Sequence, residues 1–129
     1  MTRDDVARWL QRYVDAWRSY DPDAVGALFS EDAEYRYHPY DEPVAGRGAI
    51  VASWLEEDRR DDPGTWDARY APLAIEGNVA VATGTSTYLT PGGEIDRVYY
   101  NSFVLEFDGD GRCRSFTEYY MEKPRAGDA

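Results

Sequence analysis

VAVATGTSTYL (Val79–Leu89), TPGG (Thr90–Gly93), EIDRVYYNSFVLEF (Glu94–Phe107), DGDG (Asp108–Gly111) and RCRSFTEYYM (Arg112–Met121) follow one another without interruption. The long pieces are rich in valine, threonine, tyrosine and phenylalanine, residues that fit a pleated, half-buried surface. The short pieces between them carry the Gly, Pro and Asp that tight turns require. This pattern predicts strands over Val79–Leu89, Ile95–Phe107 and Cys113–Met121, joined as antiparallel hairpins. Working backwards, Glu76-Gly77-Asn78 reads as a further turn, and Trp66–Ile75 as the strand before it.

The first half of the chain has a different period. Thr2 is placed to cap a helix, with Asp5 in the capping-box position. Val6, Trp9, Leu10, Tyr13, Val14 and Trp17 then form one apolar stripe at helical spacing. Asp21-Pro22 restarts the chain as a second cap and first turn. A short helix carrying Ala24, Val25, Leu28 and Phe29 is expected to end at Ser30-Glu31-Asp32. Glu34–Tyr37 alternates and reads as a short strand, stopped by His38-Pro39 because proline cannot donate to a ladder. A loop over Asp41–Gly48 leads to a third helix, with Ile50, Val51, Trp54 and Leu55 inward and Glu56 to Arg60 outward. Asp62-Pro63-Gly64 breaks it. Helices first and a meander last make an α+β domain. Residues 1–124 form that single domain, and 125–129 are expected to be a disordered tail.

Composition narrows the function classes. The 129 residues carry a net charge of −11, which repels nucleic acid and anionic membranes, so neither is an expected partner. One cysteine excludes an internal disulfide, and one histidine with one cysteine cannot build a conventional zinc site. Asp108-Gly109-Asp110-Gly111 has the look of a calcium loop, but position twelve from Asp108 is Tyr119, where a bidentate glutamate is needed. No metal or cofactor is therefore expected. The opening MTRDDVARW is acidic where a secretory leader is basic and then apolar, and a cytoplasmic location follows as the expectation. Aromatic residues make up 15% of the chain and tyrosine occurs 11 times, which suits a wall both apolar and able to hydrogen-bond.

Four local motifs, in order, resemble the nuclear transport factor 2-like superfamily, which includes the SnoaL-like and ketosteroid isomerase-like domains. Arg12-Tyr13-Val14 followed by Tyr20-Asp21-Pro22-Asp23-Ala24 is similar to that family's first helix and its turn. Leu28-Phe29-Ser30-Glu31-Asp32-Ala33 is similar to its step into the first strand, and Gly46-Arg47-Gly48-Ala49-Ile50 to the start of its third helix. Phe107-Asp108-Gly109-Asp110-Gly111-Arg112, running on to Phe116-Thr117-Glu118-Tyr119-Tyr120, resembles its closing hairpin. The resemblance implies a cone-shaped fold: three N-terminal helices packed on a strongly curved, mostly antiparallel sheet that encloses a pocket. It also implies a small-molecule ligand and a homodimer packed through the convex faces of its sheets. Alternate residues of each strand would face the pocket. The inward set is then Val81, Thr83, Thr85 and Thr87, with Arg97, Tyr99, Asn101 and Phe103 beside them, and Phe116, Glu118 and Tyr120 on the last strand. The helices would add Tyr13, Trp17 and Trp54, and the first strand Tyr35 and Tyr37.

Within that set Glu118 is the first catalytic candidate. A carboxyl between Phe116 and Tyr120 on an apolar face loses hydration, so its pKa rises toward the range of a general acid or base. The resemblance places an acidic residue at this position in SnoaL-like cyclases and limonene epoxide hydrolase-like enzymes. The other reading is a structural glutamate paired with Arg97 or a tyrosine hydroxyl. His38 is the second candidate, as the only side chain whose ordinary pKa lies near 7; the other reading is a rim residue capping a loop. The isomerase family has an aspartate in this region, matched here by Tyr37 on spacing and by His38 on the following proline. Tyr13 matches its first-helix tyrosine, but its oxyanion-stabilising acid falls on Phe103, which cannot donate. Ketosteroid isomerisation by that mechanism is not expected, and Ala82–Tyr88 lacks the arginine and aspartate of the epoxide hydrolases. Two function classes stay open: cofactor-free acid–base chemistry as an isomerase, cyclase, dehydratase or hydrolase acting on a hydrophobic, oxygenated compound, or a non-catalytic ligand-binding or interaction domain.

Overall fold

The computed structural model describes residues 1–56 and 66–125. Its elements run α1 (Arg3–Ser19), α2 (Pro22–Gly26), β1 (Phe29–Arg36), β2 (Val44–Ala45), α3 (Arg47–Glu56), β3 (Trp66–Glu76), β4 (Val79–Leu89), β5 (Ile95–Phe107) and β6 (Cys113–Glu122). The strands form one curved sheet in the order β2-β1-β6-β5-β4-β3. β1 and β6 pair in parallel, and every other pair is antiparallel. The chain is thus α+β, with three helices against one sheet.

α1 starts where its cap requires. The Thr2 hydroxyl accepts the Asp5 amide at 3.1 Å, and the Asp5 carboxylate accepts the Thr2 amide at 3.0 Å. That reciprocal pair satisfies two of the donors a helix start leaves open. Val6, Trp9, Leu10, Tyr13 and Val14 are buried along its stripe. The helix ends at Tyr20, whose left-handed backbone (φ 53°) lets its N–H reach the Ala16 carbonyl. The Trp9 indole N–H also donates to the Leu28 carbonyl at 3.0 Å, fastening α1 to the segment before β1.

All four phenylalanines, Phe29, Phe103, Phe107 and Phe116, are fully buried between α1 and the inner sheet face. Each such side chain contributes roughly 1.5–3 kcal/mol through burial. The rings interlock: Tyr13 and Phe116 stack at 5.5 Å between centroids, and Tyr35 and Phe116 at 4.4 Å. Phe103 and Phe116 therefore form the floor under Tyr13 and Tyr35.

Three expectations change. Phe29 opens β1 instead of closing α2, because Phe29 pairs with Cys113 across the sheet and the helix stops at Gly26. The loop at 41–48 contains β2, paired with Glu34 and Tyr35. Glu56 is the exposed last residue of α3, whereas residues 57–60 and the break at Asp62-Pro63-Gly64 lie outside the described residues, as do residues 126–129 of the tail. The largest change concerns the face of β4. Asn101 pairs with Gly84, Phe103 with Ala82 and Tyr99 with Ser86. Directly opposed residues share a face, so Ala80, Ala82, Gly84, Ser86 and Tyr88 point inward. Val81, Thr83, Thr85 and Thr87 point outward. Along this stretch the inner face carries small residues as far as Ser86, and Tyr88 after them lines the cavity.

Candidate functional site

Between α1, α3 and the inner sheet face lies a cavity of about 500 Å³. Its deep wall is aromatic. Tyr13 and Trp17 reach it from α1, Trp54 from α3, and Tyr35 from β1. Tyr37 and His38, just past the end of β1, line its rim together with Tyr99 and Tyr120. Glu118 and Asn101 face the same cavity. Ten of the twelve residues singled out from the sequence thus border one space. Phe103 and Phe116 do not; they are 1% and 0% exposed and sit beneath it in the core.

The polar groups of the interior are ordered as a chain. Glu118 Oε1 accepts the Asn101 amide N–H at 3.0 Å, and Asn101 Oδ1 accepts the Ser86 hydroxyl at 3.1 Å. The β4–β5 and β5–β6 pairings place these three side chains side by side. Asn101 is occupied on both sides, so it holds Glu118 in place. Burial pushes the Glu118 carboxyl up to about 7, and the Asn101 hydrogen bond and the field of His38 moderate that rise. The shift is the signature of a carboxyl taken from water with no ion pair of its own among the described residues. Arg97, the cation of the lining, instead lies 3.7 Å from Asp96 and over the Tyr88 and Tyr99 rings, 4.6 and 5.9 Å from their centroids.

The tyrosines differ in what their hydroxyls do. Tyr13 and Tyr35 share a hydrogen bond of 3.3 Å, and burial raises both well above the ordinary phenol value. Tyr37 bonds the Ser53 hydroxyl at 2.8 Å. Tyr70, stacked near Phe103, is likewise raised by burial. At the rim, His38 Nδ1 lies 2.8 Å from the Asp41 carboxylate and Nε2 lies 2.9 Å from the Tyr120 hydroxyl. The buried indole N–H of Trp54 has no hydrogen-bond partner among the described residues. A buried donor without a partner is costly unless a ligand meets it.

Sequence reasoning missed Tyr20, Asp41, Tyr70, Ser86 and Tyr88 as lining residues. Ser86 and Tyr88 were hidden by the reversed face of β4. The β4–β5 pairing is the signal that finds them, because Asn101 inward forces Gly84, and so Ser86, inward. Asp41 sits in the turn closed by its amide on the His38 carbonyl at 3.1 Å, and the local pattern gave it no direction. In the DGDG hairpin the Asp108 carboxylate accepts the amides of Asp110 and Arg112, at 2.9 and 3.0 Å, which is the work of a turn residue. Among the described residues, no helix is long and apolar enough to cross a membrane.

Comparison with known proteins agrees with this architecture. A family model described as the SnoaL-like domain matches residues 10–116. Among solved structures, the chain is similar to an NTF-2 like protein of unknown function from Burkholderia xenovorans LB400, with 21% sequence identity and a TM-score of 0.69 over 95% of this chain and 88% of that one. At that identity the likeness concerns the fold alone. No curated protein matches the chain.

Proposed function

The chain belongs to the SnoaL-like domain family, and we propose that it binds a hydrophobic, oxygenated small molecule in its cavity and moves protons on it without a cofactor. The carrying observation is Glu118: a carboxyl turned into an aromatic cavity, held by one amide and raised to about 7. A group that titrates near neutral pH both takes and returns a proton efficiently there. The structural pairing with Arg97 is not made: Arg97 lies beside Asp96, and no ion pair links it to Glu118 among the described residues.

The cavity volume of about 500 Å³ lies within the range of small-molecule sites. Aromatic walls accept a flat ring system, and the hydroxyls of the lining tyrosines supply donors for a carbonyl or hydroxyl oxygen. Polyketide-like and terpenoid-like compounds have this chemistry. Glu118 would remove a proton from carbon next to a carbonyl, with His38 as its counterpart on the oxygen side. The family also implies a homodimer through the outer sheet face, where Tyr100, Val104, Tyr119 and Met121 are exposed.

The test is proton exchange in D2O. Wild-type protein is mixed with hydrophobic ketones, beginning with 2-tetralone, and deuterium entry beside the carbonyl is followed by NMR. Glu118→Gln is expected to lower the catalysed rate about 100-fold or more, with an unchanged circular dichroism spectrum. Full exchange by the variant would remove Glu118 from the mechanism. If wild-type protein binds the ketones but adds nothing to the buffer rate, the chain is a non-catalytic binder.

A further inference from the structure

Three side chains at the cavity rim form a connected line that Glu118 chemistry alone does not use. Asp41 Oδ2 is 2.8 Å from His38 Nδ1, and His38 Nε2 is 2.9 Å from the Tyr120 hydroxyl. Tyr120 stands two residues from Glu118 on β6, so both side chains leave the same face of the strand. All four border the one cavity. The line comes from two distant parts of the chain: the turn after β1 supplies His38 and Asp41, and β6 supplies Tyr120.

The hydrogen-bond roles follow from the atoms. An ionised carboxylate only accepts, so the proton between Asp41 and His38 belongs to Nδ1. In the neutral ring Nε2 is then an acceptor, and the Tyr120 hydroxyl must donate to it. When Nε2 carries a proton, it donates to the phenol oxygen, and the phenol proton is free to point at a ligand. The ring is held in place by a near-parallel stack on Tyr40, with centroids 5.2 Å apart and planes 10° from parallel. Tyr120 itself packs edge-on against Tyr99 at 5.5 Å.

We infer that Asp41, His38 and Tyr120 are a proton relay, in which Tyr120 exchanges a proton with a ligand oxygen while His38 and Asp41 act through it as positioning residues. This inference rests on the reading of Glu118 as the group that works on carbon. The step balances. Glu118 takes a proton from the carbon beside a carbonyl, and the electron pair of that C–H bond moves to the oxygen. The oxygen receives the Tyr120 proton, Tyr120 receives the proton of His38 Nε2, and the ring becomes neutral. The ligand loses one proton and gains another, Glu118 loses its negative charge as the ring loses its positive one, and the net charge of the cavity is unchanged. The reverse step uses protonated Glu118 and the neutral ring. Burial, followed by the Glu118 charge, raises the Tyr120 pKa, which keeps the phenol protonated as a donor. The implied ligand class is an enolisable carbonyl compound whose oxygen sits at the rim and whose apolar body fills the aromatic interior.

A staple that merely pins the turn to β6 would make the same contacts, so the test separates the two. The chain has one histidine, and its ring nitrogens give unambiguous long-range 1H–15N correlations. The expected result is a proton held on Nδ1 in wild type and in Tyr120→Phe, with Nε2 the nitrogen that gains and gives up a proton, and in Asp41→Ala a neutral ring released toward the Nε2-protonated tautomer. With 2-tetralone in D2O, Tyr120→Phe is expected to slow catalysed exchange by about tenfold to 100-fold, and Asp41→Ala to slow it as well. Both variants should keep the wild-type circular dichroism spectrum, since Tyr120 is 47% exposed and the Asp41 side chain 35% exposed. A neutral wild-type ring whose single proton sits on Nε2 overturns the relay. Full exchange by Tyr120→Phe, with exchange lost in Glu118→Gln, overturns the relay and leaves Glu118 standing. Absence of exchange in wild type sinks both.

Discussion

Glu118 draws its character from its neighbours on the adjacent strands. The Asn101 amide on β5 holds one carboxyl oxygen, Ser86 on β4 fixes that amide, and the aromatic surroundings remove water. Burial raises the carboxyl from an ordinary 4.5 to about 7. The consequence for stability has a definite sign. The folded chain holds this proton up to about pH 7, and the unfolded chain releases it near pH 4.5. The folded state therefore binds more protons between those values, and stability falls as pH rises through that window. Glu118→Gln removes the penalty. Urea unfolding should find the variant more stable than wild type at pH 8, by an amount on the order of 3 kcal/mol, with the gap closing near pH 4. A pH-independent gap would mean that Glu118 ionises freely in the fold. At this scale the sequence was partly legible. Alternation along the last strand was enough to turn Glu118 and Tyr120 inward, and the flanking strand did the same for Asn101. The Asp41–His38 contact was not legible, because a turn's side-chain direction depends on φ and ψ values that no local residue pattern dictates.

β4 is the element that sequence reasoning turned the wrong way. Its odd positions carry the β-branched residues, and Val81, Thr83, Thr85 and Thr87 are the set expected to face inward. The structure puts the small residues Ala80, Ala82, Gly84 and Ser86 inside, on the face that packs into the aromatic core and borders the cavity. Gly84 shows the constraint most sharply. A Cβ at this position would lie 1.9 Å from the Arg69 carbonyl oxygen and 2.6 Å from the Tyr70 ring. Gly84→Ala must therefore push β3 away from β4 at the place where Tyr70 pairs. A loss of about 1–3 kcal/mol is expected from urea unfolding, as for other overpacked cores, together with shifted Tyr70 and Asn101 NMR signals. A neutral effect would show that the β3–β4 approach is looser than described. β1 teaches the same lesson. Phe29 continues an apolar helical spacing locally, and only its parallel pairing with β6, more than eighty residues later, makes it a strand. Such non-local pairing overrides local propensity. α1, by contrast, was legible in full, since its cap, stripe and length are all local signals.

For the whole molecule, the order of helices and strands carried the architecture, and the curvature that makes a cavity came from how the elements meet. The same curvature leaves an outer sheet face. There Tyr100 stands opposite Met121 and Val104 opposite Thr117, and Tyr119 is 46% exposed. If that face joins two copies, sedimentation equilibrium should give twice the 14.7 kDa chain mass, and the double variant Val104→Arg/Tyr119→Arg should give the single mass with an unchanged circular dichroism spectrum. A monomeric wild type would contradict the dimer. The function proposed here depends more directly on the inside of the sheet than on its outside. The most direct test is a titration of the Glu118 side-chain carboxyl by 13C NMR, assigned by its absence in Glu118→Gln. The account requires a midpoint near 7 that rises further in Asn101→Ala, where the stabilising amide is gone. A midpoint near 4.5, unmoved by Asn101→Ala, would describe a hydrated surface carboxylate and contradict the account.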